Sequence, residues 1–525
     1  MRATLFSLLI VAGTLSWPYS RCRAQEATPS NDVSAPRIQT TTREVILDVI
    51  VTKKDNRPVD GLSKSDFVIE EDNVPQSIRS FERTSVERTS VDSTHSSPQA
   101  PETILLIDQL NTRYSDFSYA RSSLKKLFAR NGGVLSQPTT LMYLRDTGLK
   151  ILAGPSQNGV LLESALEQLP AMNVRQAEQD NPDAMTDRIK ISLEAISQIA
   201  AARAGSGTRK NIVWISSGFP ALSSSQFDPA SADRIYDVIR AVSDQLLKAR
   251  IAVYTVDPRG VVAGDFVPDE KDFTRYEASL RTIKEAGGFE DFALQGLAVQ
   301  TGGRVFFGRN DVDQEVADGI NAGDICYTIS YSPSNRNFDG RFRNIKVVLP
   351  GHPELRVRTR DGYYGLPDSF PANGKVADDQ ISEALHSPLF YNGVPIFSTI
   401  VTVVRDPPRA RVSLTVDADA FTWTPASKGR MEAKMDVAAA DFSSKDQLLH
   451  TVTRSYTAFL RQEQLKSNDS KKITVHIEAP VSLTAARLRL VVRDQGTGHI
   501  GTANIAQLPP AQERAPSDYL HHRDQ

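Results

Sequence analysis

The sequence predicts a multidomain protein: an α/β doubly wound, Rossmann-like domain flanked by β units, with a C-terminal β-sandwich. Three observations predict it. The chain has 525 residues, too many for one hydrophobic core. Between residues 102 and 325 short continuous apolar runs alternate with stretches of helical periodicity, the pattern of a parallel sheet covered on both faces. On either side of that region the apolar period drops to two, as in strands with one buried face.

The elements follow in order. Met1-Arg2, an apolar run from Leu5 to Trp17, and small residues at Cys22 and Ala24 before a cut at Gln25 read as a secretory signal peptide over residues 1–24. Its apolar core falls short of the roughly 20 residues that span a bilayer, and no later stretch reaches about 18 apolar residues, so no integral membrane segment is expected after cleavage. The location expected is periplasm, cell surface or medium. The mature chain then keeps Cys326 alone, so no internal disulfide can form, and Cys326 reads as a buried small hydrophobe.

Residues 25–40 form a polar leader rich in Ser, Thr, Pro and Gln. An N-terminal β unit follows over residues 41–83: Val45, Leu47, Val49 and Val51 share one face of a strand, and two shorter strands flank the turn at Asp72-Asn73. Residues 84–101, with the near-repeat RTSVE/RTSVD, read as a linker. In the α/β domain (102–325) the strands expected are TILLID at Thr103–Asp108, Thr139–Leu144, Lys150–Ala153, NIVWIS from Asn211, IAVYTVD from Ile251, and Arg304–Phe307. Helices are expected over residues 115–130, 160–169, 184–204, 232–248, 292–301 and 312–322. Right-handed crossovers make this a doubly wound parallel sheet. Strands over residues 326–366 are expected to pair with the N-terminal β unit, because three short strands alone bury too little to be stable. A linker (367–379), a β-sandwich of immunoglobulin type (380–508) with six short strands, and a flexible tail (509–525) complete the chain.

Lys+Arg 61 against Asp+Glu 63 leaves a net charge of −2, no field to attract a polyanion, so nucleic acid is not an expected partner. None of the eight histidines falls between Pro101 and Asp324, which removes a Ser-His-Asp hydrolase from this sheet. No His-Glu-x-x-His or paired Cys-x-x-Cys stands ready for zinc. The loop Gly205-Ser206-Gly207-Thr208-Arg209-Lys210 precedes a strand rather than a helix, so it reads as solvated loop and not as a phosphate cradle. Arg336, Arg341 and Arg343 read as a solvated hairpin edge, and Asp311, Asp313 and Glu315 as acids that stabilise a helix N-terminus.

Asp108 followed by Gln109-Leu110-Asn111-Thr112, then NIVWISSG, resembles a von Willebrand factor type A domain. The flanks DVIVTKKDNRPVDGLSKSDFVIEEDNVPQSIRSFE and YTISYSPSNRNFDGRFRNIKVVLPG with RVRTRDGYYG, and the closing LRLVVRDQGTGHIGTANI, are similar to the exported von Willebrand A-related proteins of acidobacteria. That resemblance covers about Thr40 to Leu508 and implies export and protein binding, with no enzymatic activity.

Type A domains often hold a divalent cation, with Asp-x-Ser-x-Ser after the first strand, a Thr from a second loop and an Asp from a third. Carried over, the resemblance puts Asp108 first and Thr112 at the last Ser, but Leu110 brings no oxygen, Ser156 stands for the Thr and Ser217 lies where the Asp belongs. This is a degenerate metal-ion-dependent adhesion site. Mg²⁺, with its octahedral demand for hard oxygens, finds Asp108 and Thr112 at most, and no cofactor is expected. Ligands approach open α/β sheets at the carboxyl ends of the strands. The binding residues expected there are Asp108, Thr112, Ser156, Ser217, Phe219 and Arg259, the last two as anchors for a protein partner. The function expected is an exported, non-catalytic, adhesion-like binding module. The alternative is an accessory subunit or enzyme of the cell envelope with a site of another kind, which two inward carboxylates with shifted pKa values would favour.

Overall fold

Apolar residues at alternate positions of β1 (Val45–Thr52) bury Val45, Leu47, Val49 and Val51 and leave Ile46 exposed, the period of a strand with one face on a core. The computed structural model describes residues 43–85, 101–172, 182–217, 221–223, 229–261, 291–293, 295–366, 374–466 and 471–511. After β1 come β2 (Val68–Glu71), β3 (Val74–Gln76) and β4 (Ile78–Ser85). Asp72 and Asn73 take positive φ angles of 50° and 63° between β2 and β3, as both central residues of a type I′ hairpin must.

The next layer runs β5 (Glu102–Asp108), α1 (Tyr114–Ala129), β6 (Val134–Arg145), β7 (Gly148–Asn158), α2 (Gly159–Glu167), α3 (Pro182–Arg203), β8 (Lys210–Ile215), β9 (Ala221–Ser223), α4 (Pro229–Lys248), β10 (Ile251–Val256), β11 (Asp291–Ala293), α5 (Gly296–Gln300), β12 (Val305–Phe306) and α6 (Val312–Asn321). Six strands form one mixed sheet in the order β12-β10-β8-β5-β6-β7, while β9 and β11 pair separately. Successive residues of β5 serve opposite faces. Ile104 and Leu106 join a cluster with Leu193 and Ile196 of α3 and Val242 and Leu246 of α4. Leu105 and Ile107 join another with Leu124 of α1, Leu166 of α2 and Val316 of α6. α2 starts cleanly because the Asn158 side chain accepts from the backbone N–H groups of Val160 and Leu161.

Two sequence expectations are corrected in this layer. The sheet is not wholly parallel: β7 runs antiparallel to β6 with Arg145 opposite Gly148, because a two-residue connection cannot reverse the chain into a parallel pair. The helix expected over residues 292–301 is confined to Gly296–Gln300, with β11 before it.

The chain then returns to its first unit through β13 (Ile325–Tyr331), β14 (Phe342–Val348), β15 (Arg356–Arg358) and β16 (Gly362–Tyr364). β13 lies antiparallel between β1 and β4, with Val45 opposite Tyr331 and Thr84 opposite Cys326. A second sheet has the order β16-β14-β2-β3, and Leu47, Phe67, Ile69, Tyr327, Ile345 and Val347 fill the core between the two. Cys326 is free and buried, and burial pushes its thiol up to about 12. Arg343 corrects the reading of a solvated arginine edge. It is buried, ion-paired to Glu71 at 3.2 Å, and the hydroxyls of Tyr331 and Tyr363 donate to the same carboxylate at 2.7 and 3.0 Å.

The last part contains α7 (Lys375–His386), β17 (Ile396–Val404), β18 (Arg409–Asp417), β19 (Thr424–Pro425), β20 (Arg430–Phe442), β21 (Leu448–Arg461), α8 (Gln462–Lys466), β22 (Lys472–Pro480), β23 (Arg487–Asp494) and β24 (Ile500–Ile505). One sheet runs β17-β18-β22; the other runs β19-β20-β23-β24, with β21 also on β20. Leu414 and Ile477 from the first sheet and Met435, Val437 and Leu490 from the second meet in one cluster. The opposite face of β20, through Ala438, Ala440 and Phe442, belongs to the cluster of α3, α4 and α7. Two further expectations change here. Residues 375–379, expected as linker, begin the helix α7, and β21 was not expected at all.

Candidate functional site

Asp108 ends β5 fully buried. Its Oδ1 accepts from the backbone N–H groups of Leu110 and Asn111, both at 2.9 Å. Its Oδ2 accepts from Asn111 Nδ2 at 2.8 Å and Trp214 Nε1 at 3.1 Å. Burial raises the Asp108 pKa, against these bonds and one from Ser216. The carboxylate therefore organises the turn from strand to helix rather than facing outward. Thr112 is buried as well, and its Oγ1 accepts from Ser217 N–H at 3.4 Å while Ser217 Oγ accepts from Arg113 N–H at 3.3 Å. These contacts stitch the loop after β5 to the loop after β8.

So the structure brings together Asp108, Thr112 and Ser217 of the residues singled out in the sequence. It does not bring Ser156 to them. β7 runs antiparallel, which carries Ser156 to a position opposite Thr139, itself opposite Thr103 near the start of β5. Asp108 is five residues further on, about 16 Å away along the strand. Phe219 lies outside the described residues. Arg259 does sit at the carboxyl edge, after β10, with its side chain 53% exposed against 5% for Asp257. Its Nε donates to Asp257 at 3.0 and 2.9 Å, so the guanidinium leans back on its own loop.

Mg²⁺ does not fit this donor set. Asp108 is the one carboxylate, already engaged by four N–H donors, and Leu110 offers no oxygen. Gln109 Oε1 and Asn111 Oδ1 are buried without a hydrogen-bond partner, but neutral amide oxygens cannot replace the missing charge. Among the described residues no group of three or more His, Cys, Asp or Glu side chains is placed to hold a metal ion.

The same edge contains a group that sequence reasoning misjudged. Glu315, in the first turn of α6, is 1% exposed and neither of its carboxyl oxygens has a hydrogen-bond partner. Burial raises its pKa to about 8, with Asp311 adding to the rise, Arg309 opposing it and Asp257 adding again. Its sequence signal was helical spacing: Val312, Glu315, Val316 and Ile320 share the buried side of α6.

The opposite end of the sheet is covered. Arg250, after α4, pairs with Asp48 of β1 and donates to Thr328 at 2.8 Å. Arg203, ending α3, pairs with Glu102 at 2.9 Å and donates to the Phe390 carbonyl at 2.9 Å. Lys210 is buried, with Nζ donating to the carbonyls of Ser206, Thr208 and Ala249 at 2.8, 2.6 and 3.0 Å. This overturns the reading of its loop as wholly solvated. Gly205 at φ +81° passes so close to the C-terminal part that a Cβ there would sit 2.9 Å from His499 Nδ1.

No family model matches the chain, and no curated protein matches it. Among solved structures it is similar to proximal thread matrix protein 1 of the mussel byssus, at TM-score 0.23 and 7% identity over 42% of this chain and 47% of that one. It is similar also to the human COPII-coat protein Sec24c, at TM-score 0.22 and 9% identity over 51% of this chain and 44% of that one. The chain thus spans less than half the length of either. The SpRpn10 VWA domain is a third weak neighbour, at TM-score 0.15 and 10% identity over 30% of this chain and 89% of that domain. Among the described residues no helix is long and apolar enough to cross a membrane.

Proposed function

We propose that the chain is an exported, non-catalytic protein-binding module. On this reading residues 102–325 are a doubly wound domain of von Willebrand factor A type. The β unit and a C-terminal β-sandwich brace it, as in the exported acidobacterial proteins its sequence resembles. The partner docks at the carboxyl edge of the sheet, without a resident metal ion. One observation carries the reading: the two ends of the sheet differ in what they have left to offer. At the amino end Asp48, Phe390 and Gly393 of the neighbouring units lie against Arg250, Arg203 and Gly205. At the carboxyl edge Tyr114 is 58% exposed and Arg259 is more than half exposed, an aromatic and a guanidinium of the kind that anchors interfaces.

The test is photo-crosslinking of the full chain in an envelope fraction of the exporting organism, with the probe at position 114 or at position 160. Val160 is 64% exposed but lies at the other end, beside Gly133. A specific adduct is expected from 114 and not from 160. Tyr114→Ala is expected to weaken capture at least about tenfold while changing stability by less than about 0.5 kcal/mol. Arg259→Ala is expected to weaken capture too, at about 1 kcal/mol of stability because it strips Asp257 of its cation. Unchanged capture by both variants would move the binding surface to the β units.

A further inference from the structure

Glu315 lies in the first turn of α6, directly after a loop that is clasped to the loop following β10. Asn310 makes the clasp: its Oδ1 accepts from Val261 N–H at 2.9 Å, and its carbonyl accepts from the Tyr119 hydroxyl of α1. Gly260, at φ +70°, passes so near that a Cβ would lie 2.5 Å from Asn310 Oδ1. The charged groups that flank the clasp are already committed in pairs, Asp257 with Arg259 and Asp311 with Arg309. Neither arginine bonds Glu315, and among the described residues no donor of any kind reaches either of its oxygens.

The elements around α6 bring little relief. α1 carries Tyr119, and Arg130 just past its end is paired with Asp313. β10 carries Tyr254, whose hydroxyl accepts from Arg209, and leads to Asp257 and Arg259, and α6 itself adds Asp318 one turn on. β6 carries Tyr143 and Arg145, and the one ionisable residue of β8 is Lys210, at the far end of that strand. A charge on Glu315 would therefore be a desolvated anion among Asp257, Asp311 and Asp318, with Arg309 as the opposing cation and no hydrogen bond to receive it.

We propose that Glu315 is a proton-operated latch: as a neutral carboxyl it lets the loops 257–261 and 307–311 close over the first turn of α6, and its ionisation drives them apart. The inference does not rest on partner binding, because the loops open or stay shut in the free protein. In the closed state the acid is neutral at neutral pH, since its ionisation belongs near 8. Opening hydrates the carboxyl and returns it to the ordinary Glu range, so alkaline pH favours the open state.

Amide hydrogen exchange of the full chain tests this, with protection over residues 257–261 and 307–316 compared at pH 6.5 and pH 9 after correction for the intrinsic rates. Protection in the wild type is expected to fall by about tenfold or more, and in Glu315→Gln to stay level. Equal behaviour of the two proteins, or no fall in the wild type, overturns the proposal. Should Glu315→Gln fail to fold, the carbon-13 resonance of the Glu315 carboxyl in the wild type decides: titration near 8 supports the latch, and titration in the ordinary Glu range overturns it.

Discussion

The two ends of the six-stranded sheet solve the problem of buried charge in opposite ways. At the amino end three cations are provided with acceptors. Arg250 has Asp48 and Thr328, Arg203 has Glu102 and a carbonyl, and Lys210 has three carbonyls. At the carboxyl edge the anion Asp108 is equally well supplied with donors, yet Glu315 a few residues into α6 has none. The difference teaches that the covered end is built to stay shut. The carboxyl edge keeps one buried ionisable group with no hydrogen-bond partner.

The strongest way to break the covered end is to remove Arg250. Burial raises the Asp48 pKa, but Arg250 and Arg209 outweigh it and hold the carboxyl below its usual range. Arg250→Met takes away the ion-pair partner of that carboxylate and leaves it Thr328 and the more distant charge of Arg209, and a loss of about 2–4 kcal/mol is expected in urea unfolding of the full chain. A loss below about 1 kcal/mol would mean that β1 is not held to the sheet through this pair.

A second variant sharpens the contrast through pH. Burial, with Arg250 adding to it, lowers Lys210 to about 7 from 10.5. Between those values the unfolded chain binds a proton that the folded chain does not, so this group makes stability rise with pH, by about 1.4 kcal/mol per unit at most. Glu315 acts with the reverse sign. Its folded pKa is raised from 4.5 to about 8, so its contribution is complete below 4.5 and is lost as pH climbs to 8. Lys210→Met should flatten the slope of stability between pH 8 and 10 and leave the slope between pH 4 and 6 nearly unchanged. The same slope in wild type and variant at alkaline pH would show that the three carbonyls keep Lys210 charged.

The smallest effect concerns the cation site implied by the type A resemblance. A site with Kd above about 10 mM, at 10 mM ion, adds no more than about 0.4 kcal/mol. Calorimetric melting with and without Mg²⁺ should give matching curves. A large upward shift that vanishes in Asp108→Ala would show that Gln109 and Asn111 complete a cage despite their neutrality.

Much of this arrangement was legible in the sequence, because period and run length report burial. TILLID, NIVWI and IAVYTV are short apolar runs, and each is a central strand of the mixed sheet. What was missed has physical causes. β21 has few alternating apolar residues because most of its side chains face solvent, so periodicity gave no sign of it. Ala377, Ile381, Ala384 and Leu385 stand at helical spacing on the buried side of α7, yet no helix was expected there, because the polar residues before it read as linker and the strand-rich sequence after it as sandwich. Arg343 shares a strand face with Ile345 and Val347, so its burial was readable once residue type was set aside in favour of parity. The candidate site was legible in part. Asp108, Thr112 and Ser217 do meet, yet Ser156 was misplaced because the direction of β7 depends on a turn at Gly148 (φ 88°), not on the apolar pattern.

The place of β13 between β1 and β4 has a consequence in time. Val45 cannot find Tyr331, its partner across the ladder, until the ribosome has made nearly three hundred more residues, roughly 15–60 s at ordinary synthesis rates. For that interval the apolar face of β1 has no sheet to join. The chain closes its first structural unit only after its second is complete, and contacts so distant along the sequence make that closure slow.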